Sequence, residues 1–329
     1  MTKVYFHGDY RTFSGPSNAN RNILNNSDGR FSYQKSANKY FKRAEYISKI
    51  IMNDVTVFAG GDVYASIGIK LAKKLGKKTV YLMHGFYSYE SIINNVQIEE
   101  KFLNSEKFIL ENVDLILCVS EKYSEWVKNY FPHLKDKISF VNSGLNPFEN
   151  KKTKPYNERT VSVAAAGGDL PQKNNLTVCK AVEKINDKNV NFNIYGTKRS
   201  EEDIFLSFEN CSFKGELKQE DFFEELENIK VFVVNSTVES FSLAAADALE
   251  RGCSVLLSKD SGIRSILNLE DTDIIYDTEN EDEIAEKIRY LLENPNNERI
   301  KASIDFEKVS WKKTAEKLYE ACEKLYKGK

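Results

Sequence analysis

Glu239 lies in a loop and Asp247 lies eight positions on, inside a helix, within one strand, loop, helix, strand run from Val231 to Ser258. Between and beside them stand the small residues Ser240, Ser242, Ala244, Ala245 and Ala246, which let a ligand approach the backbone closely. The helix start near Ser242 and Leu243 offers unpaired amides, at the positive end of the helix dipole, to a phosphate. Upstream, Val161-Ser-Val-Ala-Ala-Ala-Gly-Gly-Asp-Leu-Pro-Gln-Lys-Asn174 is a second strand feeding a glycine loop and then a helix. Lys173 at that helix start suits a phosphate as a point charge. In the first half, Val80-Tyr-Leu-Met-His-Gly-Phe86 puts His84 at the carboxyl end of a strand, where the next glycine frees the backbone near a ligand.

These residues need parallel sheets to position them. Short β-branched runs alternate with helix-period segments throughout, the pattern of sheets covered by helices, whose ligands bind at the carboxyl ends of strands. Strands are expected at residues 3–7, 55–59, 79–83, 114–119 and 138–141, then at 160–166, 191–195, 211–214, 231–235, 254–258 and 273–276. A chain of 329 residues calls for two cores. The polar, turn-rich stretch between Val141 and Thr160, with prolines at 147 and 155, reads as the linker, giving domains 1–150 and 151–310. A last helix presents Trp311, Ala315, Leu318, Tyr319, Cys322, Leu325 and Tyr326 on one face and must pack on something.

Bulk composition excludes several classes. With 41% hydrophobic and 29% charged residues the chain is an ordinary globular protein. The five cysteines are scattered without a C-x-x-C pair, so buried thiols in a reducing cytoplasm are expected, not a disulfide framework or a zinc site. No signal-peptide pattern opens the chain and no apolar run approaches a spanning helix, so the protein is expected to be cytoplasmic. Residues 1–150 carry 20 Lys and Arg against 15 Asp and Glu, within a total of -2. That basic half suits a phosphate-bearing acceptor or a peripheral contact with an anionic membrane surface at the inner membrane face. No basic stripe with interleaved aromatics marks a nucleic-acid reader.

The Val231–Ser258 run resembles the signature segment of retaining glycosyltransferases of the GT-B fold, family 4, the glycosyl transferases group 1. Ser236, Glu239, Phe241, Leu243, Asp247, Ala248, Gly252 and Val255 occupy the matching places. The resemblance also takes in the loop at 8–18, His84-Gly85, residues 113–120 and 138–146, and Phe213-Lys-Gly215-Glu-Leu217. It implies two doubly wound Rossmann-like α/β domains facing a central cleft, an acceptor held by the first, a nucleotide-sugar donor by the second, and the final helix, 311–329, crossing back onto the first. His84 and Glu239 would sit at the catalytic centre, Glu239 bonding sugar hydroxyls. Lys173, Gly15 and the amides of Ser242 and Leu243 would hold the diphosphate, with Arg11, Asn18, Lys198 and Arg199 as auxiliaries. Asp247 would bind the ribose, and the backbone at Gly215 and Glu216 the base. Three residues depart from the pattern: Ser242 replaces a glycine, Asp247 a glutamate, and Gly168 stands where an arginine is usual.

The expected reaction is transfer of a hexosyl or N-acetylhexosaminyl group from a nucleotide-sugar, with a UDP-sugar as the leading candidate, to a glycan, lipid-linked or protein acceptor, with retention of anomeric configuration, in cell-surface polysaccharide or glycoconjugate synthesis. Stabilisation of the departing diphosphate by Lys173 and helix-start amides calls for no cofactor and no metal. Two readings stay open beside it: a non-catalytic partner of another glycosyltransferase, which the departures would suit, and a nucleotide-sugar epimerase.

Overall fold

A computed structural model describes residues 1–12, 14–36, 38–148, 153–200, 204–205 and 207–328. The chain divides into two compact units, Met1–Asn146 with Phe306–Lys329, and Pro147–Asp305. The divisions thus fall four or five residues before the expected 150 and 310.

In the first unit the chain runs β1 (Val4–Gly8), α1 (Gly15–Asn25), β2 (Phe31–Tyr33), α2 (Lys39–Met52), β3 (Val55–Ala59), α3 (Val63–Lys74), β4 (Lys78–Met83), α4 (Tyr87–Ile93), α5 (Glu100–Asn112), β5 (Leu115–Cys118), α6 (Glu121–Tyr130) and β6 (Ile138–Phe140). The six strands pair in parallel in the order β2-β1-β3-β4-β5-β6. Strand β2 was not among the expected strands: it spans three residues, Phe-Ser-Tyr, too few to show a period. It pairs along β1, from Val4↔Phe31 to Phe6↔Tyr33. Helix starts are set by short polar side chains: Asp62 accepts from the Ala65 amide at 2.7 Å and Ser120 from that of Tyr123 at 3.1 Å.

The second unit runs β7 (Val161–Ala166), α7 (Asn175–Ile185), β8 (Phe192–Tyr195), β9 (Cys211–Gly215), α8 (Gln219–Leu226), β10 (Ile229–Val234), α9 (Leu243–Glu250), β11 (Ser254–Ser258), β12 (Ile274–Ile275), α10 (Glu281–Glu293) and α11 (Asn297–Ala302). Its parallel order is β12-β11-β10-β7-β8-β9. One face is covered by α7 and α10, whose Val178, Val182, Ile284 and Ile288 bury against Val163, Ile194, Val231 and Leu256. Each such side chain contributes about 1.5–3 kcal/mol on leaving water. The buried guanidinium of Arg159 donates to the carbonyls of Ile229 and Arg251, both at 2.7 Å, so its charge is met by backbone dipoles.

The chain then returns to the first unit as α12 (Phe306–Val309) and α13 (Trp311–Lys327). The α13 face buries Trp311, Ala315, Leu318, Tyr319 and Cys322, and Tyr319 donates to the Thr2 carbonyl at 2.9 Å. The apolar face ends there, earlier than its sequence period, because Tyr326 is 48% exposed. All five cysteines are free thiols; Cys211, expected buried, is partly exposed on β9, at the edge of its sheet.

Candidate functional site

In the second sheet, connections leave β7 in one direction through β8 and β9, and the chain returns to the other side of β7 as β10. Loops leaving β7 and β10 therefore part from each other, and the crevice between them is the topological switch point. Lys173 closes the first loop and Glu239 lies in the second. Their side chains form an ion pair, Nζ to Oε2, and Ser236 donates its hydroxyl to the same carboxylate oxygen at 3.2 Å. Hydrogen bonds to the backbone fix the loops around them. Gln172 donates through Nε2 to the Val238 carbonyl at 2.7 Å, the Thr237 amide donates to the Gln172 carbonyl at 3.0 Å, and the Gly262 amide donates to the Glu239 carbonyl at 2.9 Å. Both residues are largely buried.

The three departures have local causes or consequences. Gly168 has φ +63°, and a Cβ there would stand 2.2 Å from the Thr197 carbonyl oxygen. The loops after β7 and β8 press backbone on backbone, so no side chain fits where an arginine would be usual. Ser242, directly before α9, has φ +82° and gives α9 no side-chain cap, so the first-turn amides are left for a ligand or water. Asp247 is half-buried on α9, and its carboxyl is pushed up to about 7 by burial first and Glu250 second, against the opposing charge of Arg251. Its side chain has no hydrogen-bond partner among the described residues.

The remaining candidates of this unit lie in the loops after β8 and β9, on the side of β7 away from β10. Gly215 ends β9 at φ +78°, its carbonyl accepting from the Gly196 amide at 2.8 Å. Glu216 accepts from the Thr197 hydroxyl at 3.2 Å. Asp169, which the sequence did not single out, accepts from the amides of Arg199 at 2.8 Å and Ser200 at 2.7 Å, tying the loop of Lys198 and Arg199 to that of Gly168. The Arg199 guanidinium turns onto its own loop, donating to the Thr197 carbonyl at 3.3 Å. Of the small residues beside Glu239, Ala245 and Ala246 are buried. The sequence does contain one Asp-x-Asp triplet, Asp271-Thr272-Asp273, and its carboxylates are engaged in structural contacts. Asp273 is buried with Arg299 at 2.6 Å and Asn296 at 2.7 Å, and Asp271 accepts from Tyr276 at 2.7 Å.

In the first sheet the switch point falls between β1 and β3. A cavity of about 510 Å³ opens there, lined among others by His7, Arg11, Lys42, Arg43, Tyr46 and Asp62. His7 Nε2 lies 3.5 Å from Asp62 Oδ2, and its ring packs on Tyr46 at a centroid distance of 4.6 Å. The sequence held a signal for His7: the His-Gly pair at the end of β1 repeats that at His84-Gly85. Arg11 reaches this cavity, with its guanidinium donating to the Lys35 carbonyl at 3.0 Å. Asn18 does not line it; its carboxamide oxygen accepts from Arg21 at 3.0 Å. Gly15 is the first residue of α1, with open space where a side chain would be.

His84 follows β4, and its Nε2 lies 2.8 Å from Asn20 Oδ1 on α1. Asn20 Nδ2 donates to the Asp9 carbonyl at 2.8 Å, which orients the carboxamide with its oxygen toward the ring. Nε2 is therefore the protonated nitrogen and Nδ1 keeps its lone pair. Burial lowers the His84 pKa to about 4, so the ring is neutral at physiological pH.

Two doubly wound parallel sheets, each with polar side chains gathered at its switch point, make this an α/β protein of the GT-B fold. Residues 148–305, the second unit but for its first residue, match the family of the glycosyl transferases group 1. Among solved structures it is similar to Anabaena Alr3699/HepE in complex with UDP and glucose, at 12% identity and a TM-score of 0.70, covering 98% of this chain and 100% of that one. It is similar to the sucrose-phosphate synthase of Thermosynechococcus elongatus at 14% identity, TM-score 0.68 and 100% of both chains. The lipopolysaccharide outer core galactosyltransferase WaaB matches at 13% identity, TM-score 0.67, over 98% of this chain and 99% of that one. At these identities the likeness is one of fold. No curated protein sequence matches the chain.

Proposed function

We propose that the chain transfers a hexosyl or N-acetylhexosaminyl group from a UDP-sugar to a glycan, lipid-linked or protein acceptor, with retention of anomeric configuration, in the synthesis of cell-surface polysaccharide or glycoconjugate on the cytoplasmic side of a membrane. The observation that carries this reading is the Lys173–Glu239 pair at the switch point of the unit that matches the family. A cation that can follow a departing diphosphate stands beside a carboxylate that can hold sugar hydroxyls. UDP as the nucleotide is favoured by HepE, which was crystallised with UDP and glucose.

In this reading the α9 amides at Ser242 and Leu243 and the Lys173 ammonium take the developing charge of the β-phosphate. Asp247 receives the ribose hydroxyls, the backbone at Gly215 and Glu216 the base, and Lys198 and Arg199 border the phosphates from the next loop. His84 presents Nδ1 to the reacting sugar, and Gly15 lets α1 approach phosphate and acceptor. No cofactor is called for. The cavity beside His7 seats the acceptor, whose anionic group would meet Arg11, Lys42 and Arg43. A peripheral contact of the basic first unit with an anionic membrane surface belongs to the same reading.

The test is hydrolysis of a panel of UDP-, GDP- and ADP-sugars by the purified chain, without acceptor. Release of UDP and free sugar, abolished in Glu239→Ala with the fold intact, supports transfer. Full activity in that variant removes Glu239 from the site, conversion of the donor to its epimer favours an epimerase, and inertness toward every donor favours a non-catalytic partner.

A further inference from the structure

Helix α2 is built the wrong way round for a helix that only covers a sheet. Tyr46 and Ile50 face the core, yet the outer surface carries Tyr40 at 79% exposure, Phe41 at 69%, Met52 at 67%, and Ile47 and Ile51 at 49% each. Tyr40, Ile47 and Ile51 recur at i, i+7 and i+11, which sets them in one line along the helix, and Phe41 with Met52 runs beside it at the same spacing. Single exposed apolar side chains are ordinary; five on one fourteen-residue helix form a contiguous patch. The neighbouring α3 adds Tyr64 at 50% and Ile67 at 55%, and the two helices are joined by the Tyr46 hydroxyl donating to the Tyr64 carbonyl at 2.6 Å.

The charge beside this patch has one sign. Helix α2 contributes Lys42, Arg43 and Lys49 against one acid, Glu45, whose carboxylate is already taken by the amides of Lys35 at 3.0 Å and Ser36 at 2.9 Å. Residues 1–80 hold 14 Lys and Arg against five Asp and Glu. Lys42 and Arg43 have no ion-pair partner among the described residues. A second copy of the chain would bring the same cations against these. An anionic bilayer complements both parts at once, taking the aromatic and aliphatic side chains at its headgroup boundary and the ammonium and guanidinium groups at its phosphates. Among the described residues no helix is long and apolar enough to cross a membrane, so α2 would lie along the surface.

We infer that the outer face of α2, built on Tyr40, Phe41, Ile47, Ile51 and Met52, docks this protein on an anionic lipid surface. This deepens the membrane contact proposed above and rests on it. The inner edge of the same helix supplies Lys42, Arg43 and Tyr46 to the cavity beside His7, so docking sets that cavity next to the bilayer, where a lipid-linked acceptor presents its headgroup.

Co-sedimentation with vesicles tests it on the full chain without nucleotide, while donor hydrolysis is measured separately without vesicles, so that the two readings fail independently. Binding is expected to be at least about tenfold tighter to vesicles of phosphatidylglycerol and phosphatidylcholine in equal parts than to phosphatidylcholine alone, and to weaken as salt rises. The double variant Ile47→Glu, Ile51→Glu should lose about tenfold or more of that affinity with an unchanged circular dichroism spectrum and unchanged donor hydrolysis. Tyr40→Ser with Lys49→Gln provides a second, milder disruption with the same expected direction. Equal binding to both vesicles, no binding, undiminished binding by a folded variant, or a dimer that the substitutions turn into monomer would each overturn the inference.

Discussion

Lys173 and Glu239 are ion-paired across the switch point of the second sheet, each held by a loop that leaves an adjacent parallel strand. In the proposed reaction a diphosphate at the start of α9 would compete with Glu239 for the lysine, and the freed carboxylate would become available to hydroxyls. The two residues should therefore respond oppositely to removal of charge. Glu239→Gln should raise UDP affinity severalfold while lowering sugar release by about a hundredfold. Lys173→Ala should lower UDP affinity by about tenfold or more, the worth of a hydrogen bond to a charged group. Titration calorimetry with UDP decides it: a fall in affinity in both variants would leave the pair a structural tie.

Ser242 holds a backbone conformation that glycine adopts freely, at φ +82°. A side chain there costs about 1–2 kcal/mol, and the greater freedom of glycine in the unfolded chain returns about 0.5–1 kcal/mol of that. Ser242→Gly should therefore stabilise the protein by up to about 1.5 kcal/mol, seen as a rise of a few degrees in thermal midpoint. UDP affinity should stay within about twofold, because the amides that would meet the phosphate remain. A large change in affinity would mean that the Ser242 hydroxyl itself contacts the ligand.

Asp247 gives the site a pH dependence. Its folded pKa, about 7, stands above the ordinary aspartate value of 3.8, so between those values the folded chain binds the extra proton and stability falls as pH rises. Asp247→Asn removes that loss, and its thermal midpoint should gain on the unmodified chain from pH 5 to pH 8. Nucleotide binding should run the other way. A carboxylate accepts two ribose hydroxyls where a protonated acid donates one hydrogen bond itself, so UDP affinity should increase as pH passes through about 7 and release a proton on binding. In Asp247→Asn the affinity should be lower and flat with pH. A pH-independent affinity in the unmodified chain would remove Asp247 from the ribose.

Much of this was legible because parallel sheets announce themselves locally. Strands buried on both faces, such as Val231-Phe-Val-Val234, read as apolar runs, and glycine or small residues mark the loops that follow. Lys173, Glu239 and Asp247 could be singled out for that reason. The Lys173–Glu239 pairing could not, since 66 residues separate the two and only the strand order makes β7 and β10 neighbours. Gly168 shows the same limit from another side. Its lack of a side chain reads as a missing arginine, whereas the backbone at Thr197 leaves no room for one. The outward apolar face of α2 was hidden because a helical period reports that a stripe exists and not which side of it meets the core.

Asn20 acts on His84 by fixing a tautomer, and this yields the most specific expectation for the first unit. The Asn20 carboxamide is anchored through Nδ2 on the Asp9 carbonyl and presents its oxygen to Nε2, so Nδ1 of a neutral imidazole is left as an acceptor. His84→Ala should lower sugar release by about a hundredfold or more with UDP affinity unchanged, since the ring would act on the reacting sugar and not on the nucleotide. Asn20→Ala should cost about tenfold in the same rate, through a ring left free to turn, again without weakening UDP. With the His84 pKa at about 4, neither effect should depend on pH between 6 and 8. The fold should survive Asn20→Ala as judged by circular dichroism. If that variant released sugar at the full rate while His84→Ala did not, the histidine would stand in the reaction without needing its tautomer set, and the hydrogen bond would be one of packing alone.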